Sequence, residues 1–205
     1  MPTEETLDAL EPRLQQHIKK AQKALEAGRT DYTTEICLSV LKRHPGCITA
    51  RQLLHDAHKN APIPAYSPVA RVLIGAFHFF QIAYATISVY QRPLKTLTIV
   101  ERVLCDDPGN LHALRLMGKA ADRLGFPQTT RIAYQALLEF EPEKPANAVA
   151  LGKACLACNH LHQAVALGQR ALGLDPACRE AQDLVKKAAV AISMGKDVAS
   201  SALTH

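Results

Sequence analysis

Tryptophan is absent from the 205 residues, and aromatic residues together make up only 5 %. A core built around large rings is therefore excluded. Small side chains, mostly alanine, must fill the contacts, which suits closely packed helices. Long runs of one charge are also missing, and adjacent lysines occur only at 19–20 and 186–187. With a net charge of +5, an acidic partner or an anionic surface is permitted, but nucleic acid is not expected. Neither GxxxxGK[ST] nor GxGxxG is present, HPGC at 44–47 is no nucleophile elbow, and no convincing carboxylate pair stands out, so we expect neither an enzyme nor a cofactor. Global disorder is excluded by 48 % apolar and 21 % charged residues. The opening MPTEETLDAL is acidic and lacks an apolar run, so it does not read as a secretory leader. The expected compartment is the cytoplasm, with Cys37, Cys47, Cys105, Cys155, Cys158 and Cys178 reduced.

What the chain does have is proline in phase. Pro108, Pro142 and Pro176 are each 34 residues apart, and each closes an apolar helix-forming stretch: ERVLCDDPGN, QALLEFEPEK, QRALGLDPAC. Pro45, in SVLKRHPGC, ends a fourth copy 63 residues before Pro108. A fixed interval of this length is the mark of a two-helix repeat that stacks on itself. The spacing predicts second helices over 94–105, 128–139 and 162–173. Leu7, Leu10, Leu14, Ile18, Ala21 and Leu25 predict one helix over 3–26, ended by Gly28.

The pattern resembles the tetratricopeptide repeat (TPR) family, whose motif has a large residue at position 4, Leu-Gly at 7 and 8, and a bulky residue at 11. Gly follows at 15, Ala at 20, an aromatic at 24, Ala at 27 and Pro at 32. The repeat starting at Leu111 supplies Leu114, Met117, Gly118, Ala121, Gly125, Tyr134, Leu137 and Pro142; the one starting at Pro145 supplies Leu151, Gly152, Cys155, Ala164, Gly168, Ala171 and Pro176. The first repeat, 14–47, keeps Ala21, Ala24, Gly28, Val40 and Pro45. Departures are Thr33, Thr96 and Thr130 at position 20, with Tyr84 and Gln91 where glycine is usual. The resemblance implies an all-α fold, a right-handed superhelical solenoid of antiparallel helix pairs that binds a protein or peptide.

This reading divides the chain into an N-terminal repeat with an additional helix (1–60), a Pro-containing connection leading into a long apolar helix (61–76), three consecutive repeats (77–178), a capping helix (179–195) and a flexible tail (196–205). Its least regular part is APIPAYSP, where Pro62, Pro64 and Pro68 deny a regular helix. Immediately after it, no charge occurs from Val72 to Gln91, a span long enough for a bilayer. His78, Gln81, Thr86 and Ser88 argue against a membrane pass. We expect a buried helix with Phe80, Ala83, Tyr84 and Ile87 facing its neighbour. The alternatives are an apolar interaction surface of Ile74, Phe77 and Phe79, used for self-assembly, or membrane contact through 69–90.

The resemblance also places ligands in a groove lined by the first helices, at repeat positions 2, 5, 9, 12 and 13. Those positions give His112, Arg115, Lys119, Asp122 and Arg123, then Val149, Lys153 and Leu156, and upstream His78, Gln81, Ala85, Ser88 and Val89. Clustered cations favour an acidic peptide. The asparagines of the family's carboxylate clamp are not visible. CLACNHLH places Cys155, Cys158, His160 and His162 near each other, an alternative metal-binding module. Because Cys155 fills a packing position, structural cysteines are the preferred reading.

Overall fold

The computed structural model describes residues 3–60 and 67–202, so the connection APIPAYSP lies largely outside the described residues. Among these residues, ten α-helices follow a 3-10 turn at Leu7–Ala9: α1 (Pro12–Glu26), α2 (Thr30–Arg43), α3 (Ile48–Asn60), α4 (Pro68–Ser88), α5 (Pro93–Asp106), α6 (Leu111–Leu124), α7 (Pro127–Phe140), α8 (Pro145–Ala157), α9 (Leu161–Leu174) and α10 (Arg179–Ala202). Extended pairing among the described residues is limited to one isolated bridge, Glu5 with Cys47. The chain divides into two compact units, Met1–Thr129 and Thr130–His205.

The three phased prolines and Pro45 build the same kind of turn. Each occupies the second position of a four-residue turn closed by a backbone hydrogen bond: Cys47 to His44 (3.0 Å), Asn110 to Asp107 (3.1 Å), Lys144 to Glu141 (3.4 Å) and Cys178 to Asp175 (3.1 Å). Proline's fixed φ presets that position, and its missing N–H is not needed there. Inside three hairpins, the turn from first to second helix depends on a left-handed residue: Gly28 (φ 73°), Gly125 (φ 69°) and Asn159 (φ 61°). Each is bracketed by the same long bond, Arg29 N–H to Ala24 O, Phe126 N–H to Ala121 O, and His160 N–H to Cys155 O. Glycine adopts this conformation without strain, and asparagine tolerates it better than most residues.

In the first unit the helices pair in sequence, α1 with α2, α2 with α3, α4 with α5 and α5 with α6. Leu14, Ile18, Ala21, Cys37, Val40, Leu41, Ala50 and Leu54 form the core of the first hairpin and α3, with Cys105 of α5 packed against it. The helix predicted from residue 3 begins only at Pro12. Glu11 is extended (φ −55°, ψ 144°), because a residue before proline avoids the helical region and proline fits only a helix's first turn. Residues 3–5 instead pair with the turn at Pro45, through Glu5 N–H to Gly46 O (2.8 Å) and Ile48 N–H to Glu5 O (3.2 Å).

The second unit is simpler. Leu138, Ala148, Leu151, Cys155, Ala164, Leu167 and Ala171 pack with Ala181, Leu184 and Ala188 of α10. A side-chain carbon on Gly152 would stand 2.4 Å from Leu184 Cδ2, so glycine lets α10 lie close on α8. Val185 and Ile192 are half-buried and Lys186 and Lys187 exposed, as a covering helix requires. The capping helix predicted to stop at 195 runs to Ala202. No proline follows, and the one glycine, Gly195, costs only about 1 kcal/mol in a helix interior.

The threonines that break the repeat pattern are buried, and two of them join neighbouring helices. Thr33 Oγ1 donates to Ala21 O (3.1 Å), joining α1 to α2, and Thr96 Oγ1 shares a hydrogen bond with Ser88 Oγ (2.8 Å), joining α5 to α4. A hydroxyl is tolerated at these contacts because it has a partner.

Candidate functional site

Helix α6 is amphipathic. Ala113, Leu114, Leu116, Met117, Gly118, Ala120 and Ala121 are buried. Position 112 and those three, seven and eleven residues on share the opposite face. They are His112, Arg115, Lys119 and Arg123, of which His112, Lys119 and Arg123 are exposed and Arg115 is half-buried. At 1.5 Å per residue the strip is about 16 Å long. Asp122 lies at its edge and is the one acidic residue of α6. Asn110 fixes the start of the helix, its side chain accepting from Ala113 N–H (3.0 Å). The guanidinium of Arg123 rests 4.1 Å from the centre of the Tyr90 ring, a cation–π contact that orients it without neutralising it. The arrangement offers positive charge and N–H donors.

The other expected wall residues do not extend this strip. Val89 is buried and Gln81 half-buried, and Ala85, Ser88 and His78 are buried on the same side of α4. The face expected to line a groove is packed inward, and the face expected to be packed, with Phe80, Ala83, Tyr84 and Ile87, is exposed. The polar residues explain this reversal. Ser88 meets Thr96, and His78 Nε2 lies 3.1 Å from Asp106 Oδ2. Burying those groups with partners turns the large apolar side chains outward. Of the expected apolar surface, Phe77 and Phe79 are exposed and Ile74 is half-buried.

Lys153, in the second unit, is exposed, but its Nζ is paired with Glu180 Oε2 of α10. That hydrogen bond, with the charge behind it, holds the Glu180 carboxyl below its ordinary range. The sequence reading missed this neutralisation because the partner comes from the covering helix.

Cys155, Cys158, His160 and His162 do not assemble into a metal site. Cys155 is fully buried and His160 is exposed, and no group of three or more metal-ligating side chains exists among the described residues. Burial pushes the Cys155 thiol up, with Arg131 opposing, whereas a metal ligand must ionise readily. All six cysteines are free. Among the described residues no helix is long and apolar enough to cross a membrane.

A second basic surface was not anticipated. A hollow of about 650 Å³ between α1 and α2 is lined by Arg13, His17, Lys20, Arg43 and His44, against one acid, Glu11. These basic residues come from α1 and from the end of α2, and a scan along one helix does not join them.

No protein-family model and no curated protein matches the chain. Solved structures do. The first TPR of Spaghetti (RPAP3), bound to the HSP90 peptide SRMEEVD, matches with a TM-score of 0.53 and 17 % identity, over 57 % of this chain and 93 % of that one. MamA MSR-1 C2 matches over 91 % of both chains, at a TM-score of 0.49 and 14 % identity. TTC0263, a thermophilic TPR protein of Thermus thermophilus, matches over 86 % of this chain and 99 % of that one, at 0.45 and 18 %. The proline turns, the left-handed hairpin residues and the likeness to the first of these structures agree: the chain has a TPR-like fold of stacked antiparallel helix pairs.

Proposed function

We propose that the chain is a non-catalytic scaffold that binds an acidic peptide or an acidic segment of a protein along the α6 strip. The observation that carries this reading is the alignment of Arg115, Lys119 and Arg123 on one solvent-facing side of a helix that carries a single acid. Cations held on a rigid helix favour carboxylates and disfavour basic segments. The similar TPR domain named above is bound to a peptide with three acids in seven residues, which supports the same ligand class here. His112 extends the strip toward the start of α6. Lys153, already paired with Glu180, makes no more than a minor contribution.

The test is fluorescence anisotropy with SRMEEVD as the acidic probe and SRMQQVN, its three acids replaced by amides, as the counterpart. We expect preference for the acidic probe, weakening with salt, and a loss of roughly tenfold or more in Arg115→Glu/Lys119→Glu. Equal binding of the two probes, or unchanged affinity in the double variant, would refute the assignment. Crosslinking mass spectrometry in native extract would then identify the natural partner and its contact face.

A further inference from the structure

The exposed face of α4 is a packing surface with nothing packed on it among the described residues. Leu73, Phe77, Phe80, Tyr84 and Ile87 are 66 %, 62 %, 71 %, 42 % and 76 % exposed. Their spacing of 4, 3, 4 and 3 residues is that of a helix seam made to face another helix. Phe79 flanks the seam and meets Phe80 edge-to-face at 5.8 Å between ring centres. The repeat itself marks these positions. Phe80, Ala83, Tyr84 and Ile87 each precede by 34 residues a side chain or glycine of α6, namely Leu114, Met117, Gly118 and Ala121, all buried. The fold buries this face in one repeat and leaves it open in the other, where most of the residues are larger.

We infer that this face is covered by the same face of a second copy of the chain, forming a two-fold dimer through α4. Three observations select that occupant. First, at about 200 Å² per large side chain, the exposed parts of Leu73, Phe77, Phe79, Phe80, Tyr84 and Ile87 total roughly 750 Å², close to the ~800 Å² per partner of a stable interface. Second, no side chain of the seam is charged, so nothing on it selects an oppositely charged stranger. The 4-3-4-3 spacing continues as the same alternation in both directions and is therefore self-complementary about a two-fold axis. Third, the seam is near-symmetric about Phe80: Leu73 and Phe77 precede it by seven and three residues, and Tyr84 and Ile87 follow it by four and seven. An antiparallel crossing near Phe80 therefore sets Leu73 against Ile87 and Phe77 against Tyr84, apolar side chain on apolar side chain. This inference is independent of the α6 strip.

The test is sedimentation equilibrium of the full chain across a hundredfold concentration range, with Phe80→Glu and Phe80→Lys. We expect a dimer in the wild type and at least ~100-fold weaker association in each variant. Far-UV circular dichroism should be unchanged, because the side chain is exposed in the single chain. An equimolar mixture of the two variants should regain dimer, since opposite charges then meet near the axis. A wild type that stays monomeric overturns the proposal, as does a dimer that survives both substitutions. So does a monomer that floats with phosphatidylcholine vesicles, which would assign the face to a lipid surface.

Discussion

Arg51 is 2 % exposed, and its loss should be the most damaging single change in the first unit. Its Nε donates to Glu101 Oε1 of α5 (2.7 Å), Nη1 to Thr129 Oγ1 in the first turn of α7 (2.8 Å), and Nη2 to Pro45 O (2.7 Å). The Thr129 hydroxyl in turn donates to Glu4 Oε1 (2.8 Å), and Glu4 also accepts the N–H groups of Gln128 and Thr129, where the helix's positive end favours a carboxylate. One guanidinium thus ties α3, α5, the first proline turn and the start of α7. Arg51→Met keeps most of the volume but leaves Glu101, 5 % exposed, as a buried carboxylate without its counter-charge. Breaking one side of such a pair costs about 3–5 kcal/mol, a large part of a typical total of ~5–15 kcal/mol. Urea unfolding followed by circular dichroism measures it. Adding Glu101→Leu removes the orphaned charge, so the double variant should recover at least ~2 kcal/mol, a coupling energy read from the full cycle. A single-variant loss below ~1 kcal/mol, or strict additivity, would show that the pair is solvated and that the reasoning from burial fails.

Further outcomes follow from the same geometry. A methyl group on Gly46 would stand 1.9 Å from Thr3 O, so Gly46→Ala should detach residues 3–5 and cost about 2 kcal/mol; deleting residues 1–5 first should abolish most of that loss, and an undiminished loss would point elsewhere. His58 has a shielded Nε2 with no hydrogen-bond partner, and burial, with repulsion from His55 and partial relief from Asp106, lowers its pKa from 6.5 to about 4. The unfolded chain takes up this proton first, so stability should fall as the pH drops from about 6.5 to about 4. His58→Leu should flatten that fall by about 3 kcal/mol, and parallel stability curves would contradict it. Burial pushes the Cys37 and Cys105 thiols up to about 12, so in native protein at mildly alkaline pH they should react with a disulfide reagent only as fast as the fold opens. Rapid modification of Cys37, mapped by mass spectrometry, would show that the first hairpin is looser than its packing implies.

Sequence periodicity located most of the architecture because its signals are local. Proline at the second turn position and a residue able to take positive φ act within four or five residues, so Pro108, Gly125 and Pro142 announce their turns without knowledge of what packs beyond them. The start of α1 was misplaced because Leu7 and Leu10 continue an apolar stripe that Pro12 interrupts. The basic strip on α6 was legible for a similar reason: a helix that buries Leu114, Met117 and Ala121 must turn Arg115 and Lys119 toward solvent.

The sequence by itself determined the hairpins, their turns and the charge of α6, since each is set by backbone conformation or by one helix's own periodicity. Tertiary structure decided the rest: the inward face of α4, the pairing of Lys153 with Glu180, and the burial of Arg51 among groups from distant segments. An almost wholly apolar helix such as α4 carries little pattern from which to choose a face. Its few polar side chains made the choice by finding partners, Thr96 and Asp106, and those partners exist only once the neighbouring helix is in place.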